Sequence, residues 1–202
     1  KTPTFTAKPT VSPLLALKIP GIWRGLSVVL AFMLAFYGIY PFVALQITGP
    51  LALPAAAAAG PILAYGIGFG LSSILDPLID RHGYRKFGAW AYSIAIGLFC
   101  TMGLAAQSYA GLVGIMATYG LLNHAMLTLI LNRLIALDPV RKGTILGLYA
   151  FLTYACVSIG AVGFAPLFAW GGFWAVTWAA ACCALYMLLE LTWSYVSLNN
   201  ST

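Results

Sequence analysis

Polar side chains recur at helical spacing within one otherwise apolar segment of the chain. His124, Thr128 and Asn132 stand four residues apart, so on a helix they would form one stripe, with Asn123 beside it. Amide and hydroxyl groups can bind a solute through hydrogen bonds, and an imidazole can also carry a proton near neutral pH. For His124, a purely structural hydrogen bond is the alternative interpretation, and a metal role is a third.

A second segment offers a comparable set of groups. Tyr37, Tyr40 and Gln46 lie in the stretch FYGIYPFVALQIT, which ends an apolar run that begins near residue 24. Polar groups inside a membrane are costly and often mark a transport pathway. We therefore predict a substrate or proton pathway formed by Tyr37, Tyr40, Gln46, Asn123, His124, Thr128 and Asn132.

The composition predicts that these segments cross a lipid bilayer. The chain has 202 residues, of which 62% are hydrophobic and 7% charged, with a mean hydropathy of +0.95. A soluble domain has about 25% charged residues. Six apolar segments reach the ~20 residues that a spanning helix needs. They do not alternate with period two, which excludes barrel strands. We number them spans 1 to 6, over residues 24–47, 58–79, 87–106, 110–132, 142–168 and 172–198.

The positive charge is confined to alternate connections. Lys and Arg fall in the N-terminal segment and in the loops after spans 2 and 4, while the loops after spans 1, 3 and 5 have none. Because basic residues stay on the cytoplasmic side, both termini are predicted to be cytoplasmic in a plasma or inner membrane. This distribution argues against a nucleic-acid partner. Residues 1–23 are predicted to be a cytoplasmic linker, residues 24–198 the membrane domain of six spans and residues 199–202 a cytoplasmic tail. The sequence begins with Lys and not with Met, which suggests a piece of a longer chain.

The stretch LDPLIDRHGYRKF, between spans 2 and 3, concentrates charge. It contains three of the ten basic residues and two of the four acidic ones. A positive anchor at the membrane edge would explain the bases. It would not explain Asp76 and Asp80, because acidic residues contribute little to topology. These two carboxylates lie one helical turn apart and could bind a neighbouring base or helix end.

This stretch resembles the signature loop of the major facilitator superfamily, between the second and third helices of a six-helix half. The resemblance rests on Leu78 followed by Asp80-Arg81-x-Gly83-x-Arg85. Two positions depart from the pattern, since Asp76 replaces the usual glycine and Tyr84 a usual base. The stretches IPGIWRGLSVVLAFMLAFYGIYPFVALQIT and LDPVRKGTILGLYAFLTYACVSIGAVGFAPLFAWGGFW are similar to the drug/proton antiporter branch. The predicted signature and gating residues are Asp76, Leu78, Asp80, Arg81, Gly83 and Arg85.

The resemblance implies an all-α transmembrane bundle of six helices, built from two inverted three-helix repeats and forming one half, the C-terminal one, of a transporter. It implies that spans 1 and 4 line a cavity and that spans 2 and 5 face the other half, with span 6 peripheral. Small residues let membrane helices approach closely. The predicted packing glycines are Gly66, Gly70, Gly143, Gly147, Gly160 and Gly163.

The predicted function is therefore secondary transport, as proton-coupled efflux or exchange of a small organic solute or drug. The expected partners are the lipid bilayer, a second six-helix half on the same polypeptide or a second copy, the solute and protons, with no cofactor and no metal. A scaffold protein that keeps the fold without transporting is the alternative. An intramembrane serine protease is disfavoured because GLSS at residues 70–73 is not a GxSG motif. Asp80 is expected to act as a latch between the ends of spans 2 and 5.

Overall fold

The computed structural model describes residues 16–199, with the side chains of Asp80, His82 and 194–199 left undescribed. All regular elements within this range are helical, and it contains no strand. The predicted all-α class is confirmed. Most of the predicted linker, residues 1–15, and all but the first residue of the predicted tail lie outside the described range.

Breaks in the helices follow from proline and glycine. Span 1 consists of the helices Ile22–Ile39 and Phe42–Thr48, which meet at Pro41, whose ring and missing N–H interrupt a helix. Span 2 begins with a 3-10 turn, Ala55–Ala58, continues as Ala59–Leu71 and ends through a second 3-10 turn, Ser72–Leu75. The helix Asp76–Ala105 contains the end of span 2 and span 3 up to its penultimate residue. It breaks at Gly83, whose φ of 73° is a left-handed conformation that favours glycine.

Span 4 is the continuous helix Tyr109–Ala136, and the Ser108 hydroxyl caps it by accepting a hydrogen bond from the Gly111 N–H at 3.1 Å. The Asp138 side chain accepts from two N–H groups of the next short turn, Pro139–Arg141. The last helix, Lys142–Asn199, contains spans 5 and 6.

Within residues 16–199, five helices are long and apolar enough to cross a membrane. The last of them contains a chain reversal. The apolar stretch Pro139–Trp193 has 55 residues, or about 80 Å as one helix, more than twice a ~30 Å hydrocarbon layer. Gly171 and Gly172 break it with non-helical dihedral angles. Before the break Gly160 packs on Tyr37, and after it the Tyr186 hydroxyl reaches Ser27. Spans 5 and 6 therefore run in opposite directions beside span 1, which accounts for the sixth predicted span.

The spans pack in pairs through close glycine contacts. Spans 2 and 4 touch backbone to backbone, with Gly68 facing the Ala117 carbonyl and Gly120 facing the Tyr65 carbonyl. Span 5 packs on span 1, where the Phe164 ring covers Gly38. Span 6 also contacts span 3, and this pair runs antiparallel.

Spans 2 and 5 leave one apolar face without a covering helix in the described chain. Leu63 and Ile74 of span 2, and Tyr154 and Val162 of span 5, each expose more than three-fifths of their surface. Among the six predicted packing glycines, Gly160 meets a neighbouring helix. At the other five, an added Cβ atom would have no neighbouring atom within 4 Å: Gly66, Gly70, Gly143, Gly147 and Gly163. Their contact with another half stays a prediction.

Candidate functional site

A recess of about 300 Å³ lies between spans 1, 2, 4 and 5. Six aromatic rings form most of its wall, and one amide, the hydroxyl of a threonine and those of three tyrosines supply its polar side-chain groups. The wall contains Phe32, Met33, Phe36, Tyr37, Tyr65, Gly66, Phe69, Asn123, Leu127, Tyr149 and Thr153. Tyr149 and Thr153 stand one turn apart on span 5, so both point to the same side of that helix.

A buried hydrogen bond joins two walls of the recess. The Asn123 amide nitrogen donates to the Tyr65 hydroxyl at 2.8 Å, and Asn123 is only 4% exposed. The Asn123 Oδ1 atom is buried and has no hydrogen-bond partner among the described residues. Because an unpaired buried acceptor is costly, this oxygen is suited to accept a hydrogen bond from a bound molecule.

Tyr65 is the centre of an aromatic cluster that stiffens the recess. Its ring centroid lies 5.7 Å from that of Phe36, and 5.5 Å from those of Tyr40 and Tyr119. Tilted and edge-to-face arrangements at these distances are favourable. The wall therefore presents rigid ring faces and edges to a ligand, and no charged side chain lines it among the described residues.

Two of the seven predicted pathway residues, Tyr37 and Asn123, line this recess. Tyr40 packs on Tyr65 behind the wall. Gln46 is buried elsewhere, where its amide donates to the Ala106 carbonyl at 2.9 Å and holds the end of span 3. Its predicted place in the pathway receives no support from this position.

The remaining members of the predicted polar stripe do not line the recess. The His124 ring meets the Phe69 ring edge-to-face at 4.6 Å, and its buried Nδ1 atom has no hydrogen-bond partner among the described residues. Thr128 is half-buried and Asn132 is exposed. A pathway role for these three residues stays a prediction.

Most of the recess wall was not predicted. Tyr65, Phe69 and the span 5 pair Tyr149 and Thr153 were not among the predicted site residues. Aromatic residues occur in all six spans, so residue type did not distinguish them. One feature of the sequence could have indicated part of the wall, namely the four-residue spacing of Tyr149 and Thr153. These residues lie on span 5, which was predicted to pack against the other half.

The signature stretch lies at the turn between spans 2 and 3. Gly83 supplies the reversal, Leu78 is 40% exposed, and both Arg81 and Arg85 are exposed. Asp76 is half-buried, and one of its carboxylate oxygens is buried without a hydrogen-bond partner among the described residues. The Asp80 side chain lies outside the described part, so the predicted latch stays a prediction.

An ion pair that was not predicted from the sequence lies beside this stretch. Arg133 of span 4 donates to both Glu190 carboxylate oxygens of span 6, at 2.6 and 3.1 Å. It also donates to the Tyr84 hydroxyl at 3.0 Å, with its guanidinium carbon 5.4 Å from the centre of the Tyr84 ring. This two-pronged geometry is the strong form of an arginine–carboxylate pair. The charge of Glu190 is therefore balanced inside the bundle.

Comparison with curated proteins found a similar chain that is named as a transporter. The match is an uncharacterized MFS-type transporter, YwfA, of Bacillus subtilis (strain 168), with 25% identity over 173 residues. The alignment covers 86% of the present chain and 42% of the relative, so the chain spans less than half the length of that protein. No protein-family profile and no solved structure matches. The similarity supports membership in the major facilitator superfamily, and it agrees with the membrane-length helices in indicating an integral membrane protein.

Proposed function

We propose that the chain is one six-span half, the C-terminal one, of a secondary transporter that moves a small organic solute by alternating access. The observation that carries this proposal is the position of the recess. Gly66 lines it and also belongs to the uncovered face of spans 2 and 5. A second half placed on that face would complete the cavity. The relative of more than twice this length agrees with such a plan.

The pairing of the spans supports the two inverted three-helix repeats that the proposal includes. Such a repeat relates span 1 to span 4, span 2 to span 5 and span 3 to span 6. The pair of spans 1 and 5 then corresponds to the pair of spans 4 and 2. Both pairs run parallel and both cross at glycines, Gly38 with Gly160 and Gly68 with Gly120.

The recess favours an uncharged solute with aromatic or aliphatic groups and one hydrogen-bond donor. Transfer of a carboxylate or phosphate into this wall would cost hydration without an opposite charge in return. A flat apolar group can pack on the rings around Tyr65, and a hydrogen-bond donor on the solute would satisfy the Asn123 oxygen, which is buried and unpaired among the described residues. Efflux as the direction of transport, and proton coupling with His124 as the candidate proton carrier, belong to the same proposal.

Transport by the full-length protein in proteoliposomes tests the proposal. A panel of fluorescent aromatic compounds, neutral and anionic, would be followed with and without a pH gradient. The double variant Asn123→Leu, Tyr65→Phe removes both partners of one hydrogen bond, which can be nearly neutral for stability. We expect it to unfold at about the wild-type temperature and to lose at least about tenfold in transport rate, which corresponds to ~1.4 kcal/mol of lost binding. Tyr109→Phe is the control, because it removes a tyrosine hydrogen bond, to the Ala57 carbonyl, outside the recess.

A wild-type rate for the double variant would show that the recess is not the pathway. Preference for the anionic compounds would contradict the proposed solute class. If the wild-type protein moved no compound under any gradient, the scaffold alternative would be favoured instead.

A further inference from the structure

We propose that the groove between spans 1 and 6 binds one anionic phospholipid. In this arrangement Arg24 holds the headgroup phosphate, and one acyl chain runs along the groove away from the basic end of the bundle. We call this surface the lipid groove. It is separate from the recess, which lies between spans 1, 2, 4 and 5.

The head end of the lipid groove is a cavity of about 370 Å³ lined by Arg24, Tyr186, Leu189, Glu190 and Trp193. Arg24 is exposed and has no ion-pair partner among the described residues. Glu190 also borders this cavity, but both of its oxygens bind Arg133. One uncompensated positive charge therefore remains at the opening, and exposed Lys18 lies on the segment that leads into the same end of span 1.

The tail end is a second cavity of about 340 Å³ whose wall is almost entirely apolar or weakly polar. Leu30, Ala31 and Leu34 of span 1 face Cys182 and Cys183 of span 6. Tyr186 borders both cavities, and its hydroxyl donates to the Ser27 oxygen at 2.7 Å between them. The two cavities thus follow one another along the same pair of helices.

The dimensions and the order of these groups match a lipid better than a free anion. Ten residues separate Arg24 from Leu34, which is about 15 Å along a helix and about half of a ~30 Å hydrocarbon layer. Free phosphate would occupy only the head cavity. Trp23 and Trp193 are 65% and 69% exposed at the head end, and tryptophan prefers the depth of lipid headgroups. The groove therefore has polar groups at the depth of the lipid headgroups and apolar groups deeper in the membrane, which matches the headgroup and the acyl chain of a phospholipid.

Native mass spectrometry of the full-length protein, delipidated in detergent, tests the lipid groove. Phosphatidylglycerol and phosphatidylcholine would be titrated separately, and inorganic phosphate would be added as a competitor. We expect Arg24→Gln to weaken phosphatidylglycerol binding about tenfold, because a charge-assisted hydrogen bond is lost. Cys182→Trp, at an exposed position, fills the tail cavity and should weaken it similarly. Lys142→Gln is the matched control, since it removes an exposed positive charge away from the groove.

Wild-type binding by Arg24→Gln would overturn the proposal. So would equal binding of phosphatidylcholine, or an equal loss in Lys142→Gln, because either would show a non-specific lipid shell. Displacement of phosphatidylglycerol by inorganic phosphate, with an unaffected Cys182→Trp variant, would show a small-anion site and reject the lipid. Thermal unfolding of each variant separates lost binding from lost folding.

Discussion

Arg133 and Glu190 show how a charge can be kept in an apolar bundle. Glu190 belongs to span 6, which was predicted to be peripheral, and its carboxylate pairs with Arg133 of span 4. The two side chains are only 21% and 9% exposed. Breaking a buried pair leaves one charge uncompensated, whereas replacing both partners by apolar residues can be neutral or stabilising. Each charge therefore depends on its partner on the other span, and replacing one residue or both residues measures this dependence.

We predict that Glu190→Gln lowers the free energy of unfolding by about 3 kcal/mol, since Arg133 would keep its charge in a largely buried site. The double variant Arg133→Met, Glu190→Met should recover most of this loss. Denaturation of the purified protein in detergent, followed by helical circular dichroism, measures both. A double variant less stable than Glu190→Gln alone would contradict this account.

Among the helices, the contact between spans 2 and 4 depends on which glycine faces it. Gly66 and Gly68 are two residues apart and point to different sides of the helix. A Cβ atom at Gly68 would collide with the Ala117 carbonyl, which belongs to the backbone and cannot turn away, whereas one at Gly66 would meet open space. Span 2 is therefore held to span 4 through Gly68 and Gly120, whereas Gly66 and Gly70 take no part in this contact.

We predict that Gly68→Ala destabilises the protein by about 2 kcal/mol, the usual range for an overpacked contact. Gly66→Ala should leave the isolated bundle unchanged or raise its stability by ~0.5–1 kcal/mol, because alanine favours a helix over glycine. Thermal unfolding of the two variants side by side is the measurement. Equal losses in both would mean that spans 2 and 4 cross at a different position.

At the scale of the whole molecule, the alternation of helix directions agrees with the alternation of charge. The chain reverses at Gly83 after span 2, and at Gly171 and Gly172 after span 5. The first reversal carries arginines and the second carries no charge. The predicted cytoplasmic position of the basic loops follows from this partition and from the behaviour of basic residues at membranes.

Cysteine labelling in intact cells tests this orientation. In a variant lacking Cys100, Cys156, Cys182 and Cys183, a single cysteine at Gly49 or Gln107 should react with an impermeant thiol reagent. A cysteine at Lys142 should react only after the membrane is permeabilised. Gly49, Gln107 and Lys142 are all exposed, so accessibility within the protein does not limit the reaction. The opposite pattern would reverse the predicted topology.

The membrane class, the approximate limits of the spans and the alternation of charge were readable from the sequence. These features depend on local properties, such as the length of an apolar run, a proline or glycine that interrupts it and the residues in a short loop. The boundary between spans 5 and 6 was predicted between residues 168 and 172, and the non-helical Gly171 and Gly172 lie there. The structure added the positive φ of Gly172 and the opposite directions of the contacts on either side of it.

Tertiary structure alone decided which residues meet. The Asn123–Tyr65 hydrogen bond joins residues 58 positions apart, and the Arg133–Glu190 pair joins residues 57 apart. Every span contains both aromatic and small residues, so periodicity does not show which side faces a neighbour, a cavity or lipid. The polar stripe illustrates this point, because Asn123, placed beside it, lines the recess while His124 packs on Phe69. A helix rotates by about 100° per residue, and the packing of glycines such as Gly68 and Gly120 determines which side chain reaches the site.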